Sequence, residues 1–154
     1  MLDGVIVARP FIKAAQEILA TMAGMDSAAD APFVKKNDIA KGDISAIMRV
    51  TGDKTGTIAV SFSRSCALAL VKGILGNDIQ DAQQDTQDAV GEVANMISGQ
   101  ARAALANMGL DLKGSTPSVI VGEGHVIRHI SAGPTIAIPF TTDHGEFTVE
   151  FCWI

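Results

Sequence analysis

Residues 88–105 read DAVGEVANMISGQARAAL and predict the main helix of the chain. Their apolar positions recur at three- and four-residue intervals, which indicates an amphipathic helix from about Thr86 to Met108. At about 100° per residue, one side collects the core positions, which are Val90, Val93, Ala94, Ile97, Ala101, Ala104, Leu105 and Met108. We expect this side to pack on the rest of the protein.

The opposite side of this helix carries a stripe of polar and small residues. Within about 40° of its centre lie Asp88, Glu92, Asn95, Gly99 and Arg102. Glu92 and Asn95 are therefore predicted to point into solvent, with the small residues Gly91 and Ser98 beside them. Each helical glycine costs about 1 kcal/mol relative to alanine, which a solvated surface does not need but a close approach by another backbone does. The stripe is either ordinary solvated helix surface or a docking surface, and the glycines favour docking.

Two more helices are predicted. Pro10 opens one that runs to about Gly24, because proline is tolerated at the first helical position and glycine suits a helix end. RSCALALVKGILG, residues 64–76, predicts the other, which also ends at a glycine.

Strand patterns fill most of the remaining chain. ISAIMRVTG (44–52) and TGTIAVSFS (55–63) surround the turn GDKTG, and TIAIPFTT (135–142) and EFTVEFCWI (146–154) surround TDHGE, so two hairpins are predicted. FVKKND (33–38) and the proline-led STPSVIVGEG (115–124) indicate further short strands, and MDSAADAP (25–32) indicates a loop. HVIRHI (125–130) is compatible with a strand or with an ordered loop.

The order of these elements repeats. Each long helix is followed by a proline-containing segment and then by a hairpin, and the helix at 64–76 connects the two halves. This predicts an α+β fold, a duplicated helix-plus-antiparallel-strands unit with two long helices on a central, mostly antiparallel sheet. The final strand needs a paired or covered edge, and pairing across a homodimer is one way to provide it.

Composition limits the class of protein. The 154 residues are most simply one domain, residues 1–154, and a 47% apolar content indicates a packed globule. The net charge of −5 and the lack of a Lys/Arg-rich block argue against a nucleic-acid partner. Cys66 and Cys152 fit buried hydrophobic positions rather than a disulfide framework. Without a signal-peptide pattern or a run long enough to span a bilayer, a cytoplasmic protein is expected.

The main helix resembles the signature helix of the CheC/CheX/FliY family of chemotaxis phosphatases. The family pattern is Asp or Ser, three residues, Glu, two residues, Asn, about twenty-two residues and Pro. Asp88, Glu92 and Asn95 fit it, and Pro117 follows after twenty-one residues, which a loop deletion near 109–115 would explain. The opening PFIKAAQEILATMAG is similar to the first helix of CheX-type members, where Glu17 is followed three residues later by Ala20 instead of Asn. A single intact motif resembles CheX more than the two-site CheC members.

The resemblance implies an enzyme that hydrolyses the aspartyl phosphate of a CheY-type response regulator. Asn95 would position the attacking water, and Glu92 would pair with the active-site lysine of the regulator. Asp88, Gly91, Ser98, Gly99 and Arg102 would form the surrounding partner contacts. No cofactor or metal of its own is implied, since Mg²⁺ is expected on the phosphorylated partner.

One alternative remains within the same resemblance, a receiver-binding adaptor without catalysis. The intact pair of Glu92 and Asn95 favours the enzyme, because an adaptor has no use for a water-positioning amide. His125, His129 and His144 are predicted to be surface or turn residues rather than metal ligands, since the spacing of the first two does not bring ligands together outside a helix.

Overall fold

Three helices form where the sequence predicts them. In the computed structural model, which describes residues 4–153, they are α1 (Gly4–Ala23), α2 (Arg64–Leu75) and α3 (Ala82–Asn107). A 3₁₀ turn, Gly76–Asp78, follows α2. Helix α3 begins four residues before the predicted start and ends one residue before Met108, which is 40% exposed and does not take the predicted core position.

The prediction that Pro10 opens the first helix is wrong. Helix α1 begins six residues earlier, and Pro10 lies inside it. A proline inside a helix removes one intrahelical hydrogen bond and opposes continuation of the helix. The turn before it nevertheless buries Val7 and Ala8, which join Phe11 in the core, and this burial stabilises the extension.

Within residues 4–153, eight strands form one antiparallel sheet. They are β1 (Ala28–Ala29), β2 (Phe33–Lys35), β3 (Ile44–Gly52), β4 (Gly56–Phe62), β5 (Leu112–Gly114), β6 (Ser118–Val121), β7 (Thr135–Thr142) and β8 (Gly145–Trp153). The order across the sheet is β1-β7-β8-β4-β3-β5, with β2 also paired to β7 and β6 also paired to β3. Both predicted hairpins are present, and the predicted loop at 25–32 contains the two-residue strand β1.

The pairing confirms the duplicated unit. One half supplies α1 and β1–β4, the other supplies α3 and β5–β8, and the two hairpins meet where β4 pairs with β8. The short strands cross over, because β1 and β2 pair with β7 of the second half while β5 and β6 pair with β3 of the first. Neither half therefore completes its own sheet edge.

The final strand has the paired edges that it was expected to need, and both are provided within the chain. Strand β8 lies inside the sheet, with β4 on one side and β7 on the other. Its backbone groups are paired within the chain, so it does not need a second copy to cover it. The homodimer stays a prediction that this strand no longer supports.

The two faces of the sheet are covered differently. All three helices pack on one face, where Phe62, Phe140 and Phe147 stack within the main core. The opposite face, here the second face, is crossed by residues 36–43 and 122–134, which meet at the bridge between Ile39 and Val126. HVIRHI therefore forms an ordered crossing segment rather than a regular strand.

Candidate functional site

Helix α3 is a well-anchored platform. The Asp81 side chain accepts from Gln84 N at 3.2 Å, and Asp85 Oδ2 accepts from Gln80 N at 2.9 Å, so side chains satisfy backbone donors at the first turn. Along its inner side the helix packs against α1, α2 and the sheet. The buried residues are Ala89, Val90, Gly91, Val93, Ala94, Ile97, Ser98, Ala101 and Leu105. A side chain on its outer side therefore projects from a fixed backbone.

The outer side presents the predicted pair. Glu92 and Asn95 are both exposed, as the helical periodicity predicted. Within residues 4–153 neither side chain makes a hydrogen bond or an ion pair, so the carboxylate and the amide are both uncommitted. Asp88, one turn before Glu92, is exposed and accepts a hydrogen bond from Gln84 Nε2 at 2.9 Å.

Gly91 does not lie open beside this pair as expected. It is buried, and a Cβ there would stand 3.4 Å from Val119 Cγ2 and 3.9 Å from Pro117 Cγ. The close approach that the glycine permits is made by the protein itself, at the start of β6. Pro117, the last residue of the sequence pattern, thus lies against the helix one position before Glu92.

Ser98 is also internal, with no exposed surface, so its side chain is not available for the partner contact expected of it. Its hydroxyl accepts a hydrogen bond from Arg102 Nε at 3.1 Å. Gly99 and Arg102 are half-buried on the outer side. Of the predicted surrounding residues, Asp88, Gly99 and Arg102 are accessible together with Glu92 and Asn95, and this set is here called the α3 face.

The second face carries a buried polar network that the sequence did not reveal. Lys35 Nζ lies 2.9 Å from Glu150 Oε2, and His129 Nε2 lies 2.7 Å from Glu150 Oε1. The other ring nitrogen of His129 contacts Thr57 Oγ1. Burial alone would raise the pKa of Glu150, but the hydrogen bonds from His129 and Lys35, together with their positive charge, lower it below 4.5.

His125 and His129 are partly buried, and their ring nitrogens bond within the protein rather than facing solvent. His125 Nδ1 donates to Gly122 O at 2.6 Å, its Nε2 is 2.7 Å from Ser45 Oγ, and both histidines hold the crossing segment 122–134 on the sheet. His144 is exposed in the β7–β8 turn, as expected. No cluster of His, Cys, Asp and Glu side chains within the described residues could hold a metal ion.

A protein-family model and several solved structures resemble this chain. The family model of the chemotaxis phosphatase CheX matches residues 44–141. A protein of Desulfovibrio vulgaris Hildenborough, provisionally named as a chemotaxis protein, is 60% identical with a TM-score of 0.93, and each chain is covered in full. The chemotaxis protein CheX of Desulfovibrio desulfuricans is 59% identical with a TM-score of 0.91, over 96% of this chain and 99% of that one. Comparison with curated protein sequences gives no significant match.

The chain therefore belongs to the CheX family of chemotaxis phosphatases. A more distant chain shares the fold, in the CheX–CheY–BeF3–Mg²⁺ complex of Borrelia burgdorferi, with 20% identity and a TM-score of 0.79 over 97% of this chain and 98% of that one. Among the helices of residues 4–153, none is both long and apolar enough to cross a membrane.

Proposed function

We propose that this protein hydrolyses the aspartyl phosphate of a CheY-type receiver domain. The observation that carries the proposal is the pair of uncommitted side chains, Glu92 and Asn95, exposed on a helix that the core holds rigidly. Family membership gives the reaction class, and the Borrelia burgdorferi complex joins a chain of this fold to CheY with BeF3 and Mg²⁺. The predicted cytoplasmic location accords with such a partner.

Asn95 is the catalytic residue in this proposal. Its amide donates and accepts hydrogen bonds without a change of protonation state, so it can orient a water molecule at any physiological pH. The water oxygen attacks phosphorus in line, the bond between phosphorus and the aspartyl oxygen of the receiver breaks, and inorganic phosphate leaves. Because misplacing a reacting group by about 1 Å can cost on the order of 100-fold in rate, the rigidity of α3 is part of the catalysis.

Glu92 serves binding rather than bond making. It stands on the same helix face, three residues before Asn95, and as a carboxylate it can accept a hydrogen bond from a lysine ammonium of the receiver. No metal or cofactor of this protein enters the proposal. The metal expected at the reacting phosphoryl group is Mg²⁺ bound by the receiver, which supplies neutralisation of its charge.

The proposal is tested by following loss of phosphate from the host's own CheY-type receiver, phosphorylated beforehand. Wild type is compared with Asn95→Ala and Glu92→Ala, and binding of each is measured to the receiver activated with BeF3 and Mg²⁺. We expect Asn95→Ala to lose about 100-fold or more in turnover while binding nearly normally, since it removes the water-positioning group. Glu92→Ala should bind more weakly.

Three outcomes would count against parts of this proposal. If wild type does not accelerate the decay of the phosphorylated receiver, the catalytic function fails, and tight binding without acceleration identifies an adaptor. If Asn95→Ala keeps full activity, the assignment of the amide is wrong even though the activity stands. If both variants weaken binding equally, the division of roles between Glu92 and Asn95 is wrong.

A further inference from the structure

Arg102 is the one positive charge on the α3 face, and its guanidinium is held in place by the protein. Its Nε donates to the hydroxyl of Ser98 at 3.1 Å, and that hydroxyl belongs to a side chain with no exposed surface. The orientation of the guanidinium is therefore fixed from one side by a buried acceptor.

A glycine of the neighbouring strand makes room for this group. A Cβ on Gly114 of β5 would lie 2.8 Å from Arg102 Cζ and Nε and 3.0 Å from Nη2. Any residue larger than glycine would therefore displace the guanidinium. Gly99 on the helix is not needed for this room, since a Cβ there would stand 3.8 Å from Nη2, an ordinary van der Waals contact. Ser98 and Gly114 together form what is here called the guanidinium seat.

The seat leaves the outer edge of the guanidinium free. Only Ser98 engages Arg102 through a hydrogen bond, and none of the ion pairs found within residues 4–153 includes it. Buried or half-buried arginines are usually paired with a carboxylate, because an unpaired desolvated charge is costly. The Nη1 and Nη2 donors thus form an oriented fork without an acceptor in the described part of the chain.

The fork stands at a defined place relative to the reaction. Arg102 follows Asn95 by seven residues, which is about 10 Å along the helix axis and about 20° around it. The side chain of Arg102 reaches back by one turn to Ser98, so the guanidinium lies closer to Asn95 than the Cα of Arg102 does. The other charged members of the α3 face, Asp88 and Glu92, are acidic, so Arg102 reverses the charge at its C-terminal end.

We propose that Arg102 binds a carboxylate of the receiver through the Nη1–Nη2 fork and so holds the receiver on the α3 face equally in the bound complex and in the transition state. This rests on the proposed function, and it adds the chemistry of the partner surface, an Asp or Glu beside the phosphorylation site of the receiver. A carboxylate is the group that a guanidinium fork matches with two parallel hydrogen bonds. Because the seat already orders the side chain, little rotamer entropy is lost on binding.

The test compares Arg102→Gln, Arg102→Lys and Gly114→Ala with Lys113→Gln. Lys113 is an exposed cation next to Gly114, and by strand alternation it points to the second face, so its removal changes the net charge equally without touching the seat. Each variant is measured for KM and kcat in receiver dephosphorylation, for Kd with the receiver activated with BeF3 and Mg²⁺, and for Tm.

We expect Arg102→Gln to raise KM and Kd about tenfold or more with kcat unchanged, because the contact is the same before and during the reaction. Arg102→Lys should recover only part of the loss, since an ammonium has no fork. Gly114→Ala should raise KM although every charge remains, and Lys113→Gln should leave KM unchanged. One Asp→Asn or Glu→Gln variant of the receiver should bind wild type more weakly. The same variant should cause no further loss of affinity when it is combined with Arg102→Gln.

Several results would overturn the inference. Equal weakening by Arg102→Gln and Lys113→Gln would show a general charge effect, and a fall in kcat at constant KM would show that Arg102 only holds α3 in place. If no Asp→Asn or Glu→Gln variant of the receiver behaves in this way, Arg102 does not bind a carboxylate of the receiver. If wild type binds the receiver without accelerating its decay, the proposed function fails while the Kd values still decide the role of Arg102. If Arg102→Gln does not fold, Gly114→Ala and Arg102→Lys decide it.

Discussion

Gln100 donates a hydrogen bond from Nε2 to Glu17 Oε2 over 2.6 Å and so links α3 to α1. The other carboxylate oxygen of Glu17 lies 3.9 Å from Lys13 Nζ. By the spacing of the sequence motif, Glu17 in α1 corresponds to Glu92 in α3, and Ala20 stands where the motif has Asn95. One half therefore uses its glutamate for an internal contact, while the other leaves its glutamate free for a partner.

This difference predicts opposite outcomes for two matched variants. Glu17→Ala should leave receiver dephosphorylation within about twofold of wild type and cost less than about 1 kcal/mol of stability, because its contacts are half exposed to solvent. Glu92→Ala should raise the KM for the phosphorylated receiver about tenfold, because a charge-assisted contact with the partner is lost. Steady-state phosphate release measures both. A loss of activity in Glu17→Ala as large as in Glu92→Ala would mean that the first half also meets the receiver.

The buried pair of Lys35 and Glu150 predicts a strong dependence of stability on either residue. Their side chains are 2% and 1% exposed, and they link the edge strand β2 to the central strand β8. Glu150→Ala should lower the free energy of unfolding by about 3–5 kcal/mol, because it leaves Lys35 as an uncompensated buried charge. Lys35→Ala should cost less, because His129 still pairs with Glu150. Replacing both with Met and Leu should cost much less than the sum. Urea unfolding measures these values, and additive losses would show that the two charges are solvated independently.

The lowered pKa of Glu150 predicts loss of stability in acid. A carboxyl group whose pKa is lower in the folded than in the unfolded state stabilises the protein fully above the unfolded value, near 4.5, and loses this contribution as the pH falls through the folded value. The unfolding free energy of wild type should therefore fall below pH 4.5 more steeply than that of Glu150→Gln, which has no proton to bind at this position. Parallel pH profiles for the two proteins would contradict this assignment.

Periodicity was sufficient for the helices, the two hairpins and the exposure of Glu92 and Asn95, because local pattern determines which side of an element is apolar. It did not predict that β5 and β6 reach across to the other half, since pairing between distant segments leaves no local trace. Gly91 was misjudged for the same reason, because Val119 and Pro117 reach it only through the packing of the β6 region beside α3. Ser98 was misjudged because helical position alone cannot distinguish an internal close approach from an external one.

The network on the second face was missed because its members are far apart in the sequence. Lys35 lies in a short strand, His129 in a crossing segment and Glu150 in an otherwise apolar final strand. The one available signal was Glu150 itself, an acid between apolar neighbours in FTVEFCW. An acid at such a position predicts a buried partner, although not which of the cations provides it.

The contact of Gly91 with Val119 and Pro117 predicts that the volume of residue 91 controls both stability and activity. A Cβ alone would stand 3.4 Å from Val119 Cγ2, so the branched side chain of Gly91→Val should push the start of β6 away from α3. Overpacking should lower the free energy of unfolding by about 1–3 kcal/mol, which exceeds the gain in helix propensity from replacing glycine.

Gly99→Val is the control, since the one atom within 4 Å of its Cβ is at the end of the Arg102 side chain. Urea unfolding should show a lower free energy of unfolding for Gly91→Val and little change for Gly99→Val. Phosphate release should fall in Gly91→Val, because Asn95 lies one turn away and moves with the helix. A Gly91→Val protein as stable and active as wild type would show that β6 can shift without disturbing the α3 face.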